Sequence, residues 1–81
     1  SSTEFVVRQA TEDGRFEGTF YGSELSDGRV VRRGDALIFV GVSRDGSGEY
    51  LHSGRLTEDR IEGQTLSRGR GFLMAWSAVR A

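Results

Sequence analysis

The sequence predicts an all-β fold, an antiparallel meander of about seven strands forming one domain over residues 1–81. Three observations carry that expectation. Apolar or alternating runs of about four to eight residues are separated by Gly- and Asp-rich breaks at near-regular spacing. Asp-Gly occurs at positions 13–14, 27–28 and 45–46, and this dipeptide suits the positive φ of tight hairpin turns. No window combines 3.6-residue periodicity with capping residues, so no long helix is expected.

The runs follow in order. Glu4–Arg8 is the first, closed by Thr11-Glu12-Asp13-Gly14. Arg15–Tyr21 alternates, with Phe16, Gly18 and Phe20 on one face and Arg15, Glu17 and Thr19 on the other. A turn at Leu25–Gly28 leads into Arg29–Arg33, whose charges suit a sheet edge. Gly34-Asp35 opens Ala36–Val42, the most apolar run, and Arg44–Gly48 breaks it. Glu49–Leu56 is next, with Tyr50, His52 and Leu56 on one parity; Thr57–Asp59 turns the chain into Arg60–Leu66. Ser67–Gly71 precedes Phe72–Arg80. Leu73–Ala81 is the best helical candidate, but its aromatic and β-branched content after a Gly favours a strand.

A faint repeat runs through this pattern. Glu4-Phe5-Val6 with Arg15-Phe16-Glu17-Gly18 matches Glu49-Tyr50-Leu51 with Arg60-Ile61-Glu62-Gly63, each pair joined through Thr-Glu-Asp. A duplicated hairpin is expected to build two halves of a pseudo-symmetric sheet or barrel. Mid-strand Gly in both copies fits the bent strands of small barrels. With the terminal Trp76-x-Ala78-x-Arg80, these units resemble the strands of lipocalin- and avidin-like bacterial barrels. The resemblance implies a closed or partly closed small barrel. The Gly-x-Trp motif near the start of lipocalins is missing, so no family function comes with it.

Composition excludes several classes. Cysteine is absent and His52 is the only imidazole, which leaves no disulfide, thiolate metal site or His-rich zinc arrangement. No metal or other cofactor is expected. No apolar run approaches the ~20 residues that span a bilayer, and no signal-peptide pattern is present. No membrane partner is expected, the compartment is left open with cytoplasmic favoured, and an opening Ser1 suggests a processed, trimmed or excised chain. Arg supplies all 11 positive charges, and Lys, Pro and Asn are lacking. GC-rich coding explains this bias more simply than bidentate phosphate recognition.

Candidates for chemistry are few. A lone His in a half-buried strand is ordinarily a hydrogen-bonded structural group, and as a general base it needs an orienting carboxylate. Ser53, next to it, faces the other side of the strand. Glu17 and Glu62 hold equivalent repeat positions and could meet as an acid–base pair; exposed pairing with Arg15 and Arg60 is the simpler expectation. Asp35 reads as a turn residue. Ser67-Arg68-Gly69-Arg70-Gly71-Phe72 and the cluster Arg29, Arg32 and Arg33 offer a nucleic-acid reading. One Arg-Gly unit and a net charge of −1 argue against it.

Apolarity on both faces is the most informative feature. Leu37 and Phe39 oppose Ile38, Val40 and Val42 in parity, and Phe72, Met74 and Trp76 oppose Leu73, Ala75 and Val79. A second subunit is the natural cover for such strands; the competing arrangement stacks both strands side by side at the centre of a two-layer sandwich. The expected function is a non-catalytic binding or interaction module, most simply a homodimer. Its interface would use Ile38, Val40, Val42, Leu73 and Val79. A small, partly apolar ligand or a protein partner would sit on Tyr50, His52 and Trp76, with Phe20 and Phe39 behind them. The alternatives are a small oligomeric enzyme around His52 at a subunit interface and a nucleic-acid-binding barrel using the Arg clusters.

Overall fold

A computed structural model describes residues 5–20 and 22–79; Glu4, Tyr21 and Arg80, placed in strands above, lie outside them. All seven expected runs are strands, and a two-residue strand joins them. They are β1 (Phe5–Ala10), β2 (Phe16–Phe20), β3 (Ser23–Glu24), β4 (Ser26–Arg33), β5 (Ala36–Asp45), β6 (Gly48–Thr57), β7 (Arg60–Ser67) and β8 (Phe72–Val79). Two antiparallel sheets result, β1-β2-β3 and the five-stranded meander β4-β5-β6-β7-β8.

Two-residue turns set the register of the meander. Gly34-Asp35 joins Arg33 to its partner Ala36, Gly46-Ser47 joins Asp45 to Gly48, and Glu58-Asp59 joins Thr57 to Arg60. Gly34 and Glu58 take φ of 61° and 53°, the positive φ that a primed hairpin turn requires. One expected turn is not a turn. Asp27-Gly28 lies inside β4, where the register shifts between Ser26 and Arg29, and Asp27 has φ 56°. The left-handed residue makes a bulge that bends the strand rather than reversing the chain.

The sheets are not closed into a barrel. Among the described residues they are joined by the Arg15–Arg29 bridge and the bond that Val30 N donates to Gly14 O, with Leu25 N, between β3 and β4, donating to Gly18 O. β8 is an edge strand, as are β4 and β1. Nor does the repeat build one pseudo-symmetric sheet. Its first copy is the β1–β2 hairpin of the small sheet and its second is the β6–β7 hairpin of the large one. The sandwich with β5 and β8 side by side is also overturned, because β6 and β7 lie between them.

The core forms where the small sheet lies over the inner face of the large one. Phe16 and Phe20 from β2, Leu25 and Phe39 are buried, with Val30, Ile61 and Trp76 packed against them. Pairing explains how so few side chains fill the space. Phe39, Gly54, Gly63 and Trp76 are successive partners across β5 to β8. The two rings fold inward over the two glycines; a Cβ on Gly54 would meet the Phe39 ring at 2.6 Å, and one on Gly63 the Trp76 ring at 2.4 Å. Aromatic rings laid over bare backbone recover the packing that Gly lacks. Leu25 covers Gly41 in the same way.

Parity is settled by this packing. Leu37 and Phe39 face inward, while Ile38, Val40 and Val42 face outward with Leu73 and Val79. Successive partners Val42, Leu51, Leu66 and Leu73 form an apolar row across the outer face. Exposure is uneven along it: Leu73 and Val79 on β8 are 69% and 68% exposed, whereas Ile38 and Val40 on β5 are 37% exposed.

Candidate functional site

The site grows out of two hairpins. The Gly46-Ser47 turn places Ser43 opposite Tyr50 and Gly41 opposite His52. The Glu58-Asp59 turn places Thr65 opposite His52. Same-face neighbours in adjacent strands lie close enough for side-chain hydrogen bonds, and these form. Ser43 Oγ is 2.8 Å from His52 Nε2, and Thr65 Oγ1 is 2.8 Å from His52 Nδ1. Trp76 Nε1 donates to the same Thr65 oxygen at 2.9 Å. The chain Ser43–His52–Thr65–Trp76 thus crosses four strands. It satisfies an imidazole that is only 3% exposed, and among the described residues no buried side-chain polar atom lacks a partner.

Aromatic rings frame this chain. Phe20 stacks on His52 with centroids 4.2 Å apart and lies 4.9 Å from Trp76. Tyr50 runs parallel to His52 at 6.4 Å, and Phe39 lies 6.5 Å from Trp76. Four of the five expected ligand residues gather here, in two roles. Phe20, Tyr50 and His52 line an inter-sheet cleft of about 200 Å³ together with Ser23, Ser43, Arg44, Asp45, Thr65 and Met74. Trp76 stands behind it, holding Thr65. Phe39 belongs to a second, wholly apolar cleft of about 140 Å³ at the other end of the core, beside Val7, Phe16 and Ile61.

Burial depresses the His52 pKa to about 4, because the low-dielectric surroundings disfavour the imidazolium. At neutral pH the ring is uncharged, with one nitrogen donating and the other accepting. Ser43 and His52 have the spacing of a nucleophile and its base. Thr65, however, occupies the place where a catalytic His has its carboxylate, and a hydroxyl supplies no charge to stabilise a proton on the ring. A base with so low a pKa accepts protons poorly at pH 7. The arrangement suits hydrogen bonding better than proton transfer. Replacing Thr65 by Val would leave His52 Nδ1 and Trp76 Nε1 without their partner and is expected to cost about 2 kcal/mol, read by urea unfolding.

Ser43 and Thr65 were absent from the sequence-predicted site. Thr65 pairs in register with His52 and Ser43 with Tyr50, but the Asp45-Gly46 turn expected from the sequence sets another register than the Gly46-Ser47 turn observed, so only the structure brings Ser43 beside His52. Other expectations resolve differently. Glu17 and Glu62 do not meet: Glu17 lies 4.0 Å from Arg8, and Glu62 pairs with Arg60 at 2.5 Å. Arg15 pairs with Asp13 rather than Glu17. Ser53 faces outward and accepts from Gln64. The Arg-Gly segment is tied down, with Arg68 N donating to Glu49 O, the Arg68 guanidinium 3.4 Å from the Glu49 carboxylate, and Arg70 over the Phe72 ring. Arg29 and Arg33 share parity on β4, but Arg32 pairs with inward-facing Leu37, so the second Arg cluster is divided between two faces. Among the described residues no group of three His, Asp or Glu side chains could hold a metal ion.

No family model, curated protein or solved structure matches the chain.

Proposed function

We propose that this chain is a non-catalytic binding module that associates with a second copy through its apolar strands and holds a small, partly apolar molecule in the cleft of Phe20, Tyr50 and His52. The observation that carries this reading is a neutral, fully hydrogen-bonded imidazole set among aromatic rings at the wall of an inter-sheet cleft. Ring faces offer apolar contact, and the Tyr50 hydroxyl offers a polar group for orientation. A cleft of about 200 Å³ is smaller than the ~300–1,000 Å³ of drug-sized sites, which fits a molecule of one or two rings.

The test uses indole and phenol as probes. Amide chemical shifts are expected to move at Phe20, Tyr50, His52 and Met74 on titration into the millimolar range, and Tyr50→Ala is expected to weaken the response at least tenfold. An equal response in that variant, or none in the native chain, overturns the reading.

One observation favours a second reading, hydrolysis with Ser43 as nucleophile: the 2.8 Å contact between its Oγ and His52 Nε2. Hydrolysis of p-nitrophenyl acetate that disappears in Ser43→Ala and keeps the fold would replace the binding module with this enzyme.

A further inference from the structure

The three long edge strands differ in how they are guarded. An edge presents a row of unpaired N–H and C=O groups, which natural sheets blunt with charge, bulges or short length. β4 carries Asp27, Arg29, Arg32 and Arg33 and a bulge. β1 has a register shift between Val7 and Gln9, and its Arg8 reaches across to Glu24 and Glu17. β8 reads Phe-Leu-Met-Ala-Trp-Ser-Ala-Val, eight residues without a charge and paired one-to-one with β7 without a shift. Of its two rings, Phe72 lies under the Arg70 guanidinium at the start of the strand. Trp76 leans inward over Gly63 and donates to Thr65 on β7, and among the described residues no strand pairs with the outer edge of β8.

We propose that β8 pairs antiparallel with β8 of a second copy about a twofold axis at Trp76, joining two five-stranded sheets into one of ten strands. This rests on the reading of the chain as self-associating and deepens it, replacing face-to-face contact of the outer surfaces with edge pairing. Three features select the second copy and this register. An antiparallel pair of identical strands is self-complementary, as a twofold interface must be. A twofold perpendicular to the sheet keeps both inner faces on one side, so it passes through a residue paired with itself. Centred on Trp76, it sets Leu73 directly against Val79 of the other copy, twice over. These are the two most exposed large apolar side chains, both on the outer face. Met74 then meets Ala78 on the inner face and Ala75 meets Ser77 on the outer one. Centred on Ala75 instead, Leu73 would face Ser77. No like charges oppose one another in either row, whereas a β4 pair would bring its Arg residues together.

The four large apolar side chains Phe72, Leu73, Met74 and Val79 leave on the order of 400 Å² at this edge, about half of the ~800 Å² per partner of a standard interface. Main-chain bonds along the edge supply the rest of the contact, as in strand addition. A dimer with a dissociation constant in the micromolar range is expected.

The absence of Cys makes the register directly testable. In one chain positions 73 and 79 are separated by ~20 Å along the strand, too far for a disulfide. Across the Trp76-centred pair they are opposite, within disulfide reach. Both side chains are exposed, so Leu73→Cys and Val79→Cys are expected to leave the fold intact. Under mild oxidation the double variant should become mostly covalent dimer. So should an equimolar mixture of the two single variants, as a mixed species, while each single variant alone should stay below a tenth cross-linked. Sedimentation equilibrium of the native chain reads association separately. A folded monomer at 100 micromolar overturns both self-association and this pairing. A dimer whose mixed variants do not cross-link, or one that cross-links through Leu73→Cys with Ser77→Cys instead, overturns the Trp76-centred pairing alone.

Discussion

Gly63→Val is expected to destabilise the chain by about 4 kcal/mol, a large fraction of the ~5–15 kcal/mol that holds a domain folded. A Cβ at this position would stand 2.4 Å from Trp76 Cζ2 and 2.7 Å from Cε2 and Cη2. The indole would have to leave its seat, and overpacking of this kind typically costs ~1–3 kcal/mol by itself. Displacement also breaks the bond from Trp76 Nε1 to Thr65 and the contact with Phe20, about 1 kcal/mol or more in addition. Denaturant unfolding measures the loss. The double variant Gly63→Val with Trp76→Val separates the clash from ordinary strand effects. With the ring gone, the added cost of the Gly63 change should fall by more than half. If it does not, the ring is not what requires glycine there.

Stability is expected to fall by about 3 kcal/mol as pH drops from 7 to 4, through His52 alone. Its folded pKa, about 4, lies below the ordinary 6.5. The unfolded chain therefore binds a proton over this window that the folded chain refuses. The contribution is complete above ~6.5, declines by ~1.4 kcal/mol per unit below it and levels off beneath about 4. Asp13 and Glu24, held below their ordinary values by hydrogen bonds from Thr11 and Arg8, act on the acid side of the window, where falling pH protonates the carboxylates and removes the stabilisation those bonds give the charged forms. His52→Gln should lower stability at pH 7 and flatten the curve between pH 6.5 and 4. A slope unchanged by this substitution would place the titration elsewhere. In the native chain the imidazole ring protons should show no titration step near 6.5 by NMR.

The two expectations concern one structure seen from its two ends. Trp76 is seated by the absence of a side chain at Gly63, and it holds Thr65, which holds His52. The cleft wall is therefore built from the back, and loosening the ring at Gly63 should also disorder the imidazole that faces the cleft.

Strand identity was legible in the sequence because it depends on local chemistry. Turn residues at 34–35, 46–47 and 58–59 interrupt runs whose side chains suit a pleated surface, and each turn sets the register of its own hairpin. Counting from the Glu58-Asp59 turn places Thr65 opposite His52, whereas Ser43 reaches Tyr50 and His52 only because the turn falls at Gly46-Ser47 rather than at the Asp45-Gly46 dipeptide. The charged run Arg29–Arg33 was legible as an edge for the same reason, since charge acts against pairing wherever the strand lies.

What the tertiary structure alone decided is non-local. Asp27-Gly28 has the composition of a turn, yet packing of β2 across Gly28 makes it a bulge within β4. Two hairpins of similar sequence enter different sheets, because strand pairing depends on which edges are available rather than on the hairpin's own residues. The direction in which β5 and β8 face was undetermined by parity, as both sets are apolar. The glycines settled it: Gly41, Gly54 and Gly63 lie on the inner face, and there Leu25, Phe39 and Trp76 lie down over them and make a core from a thin chain.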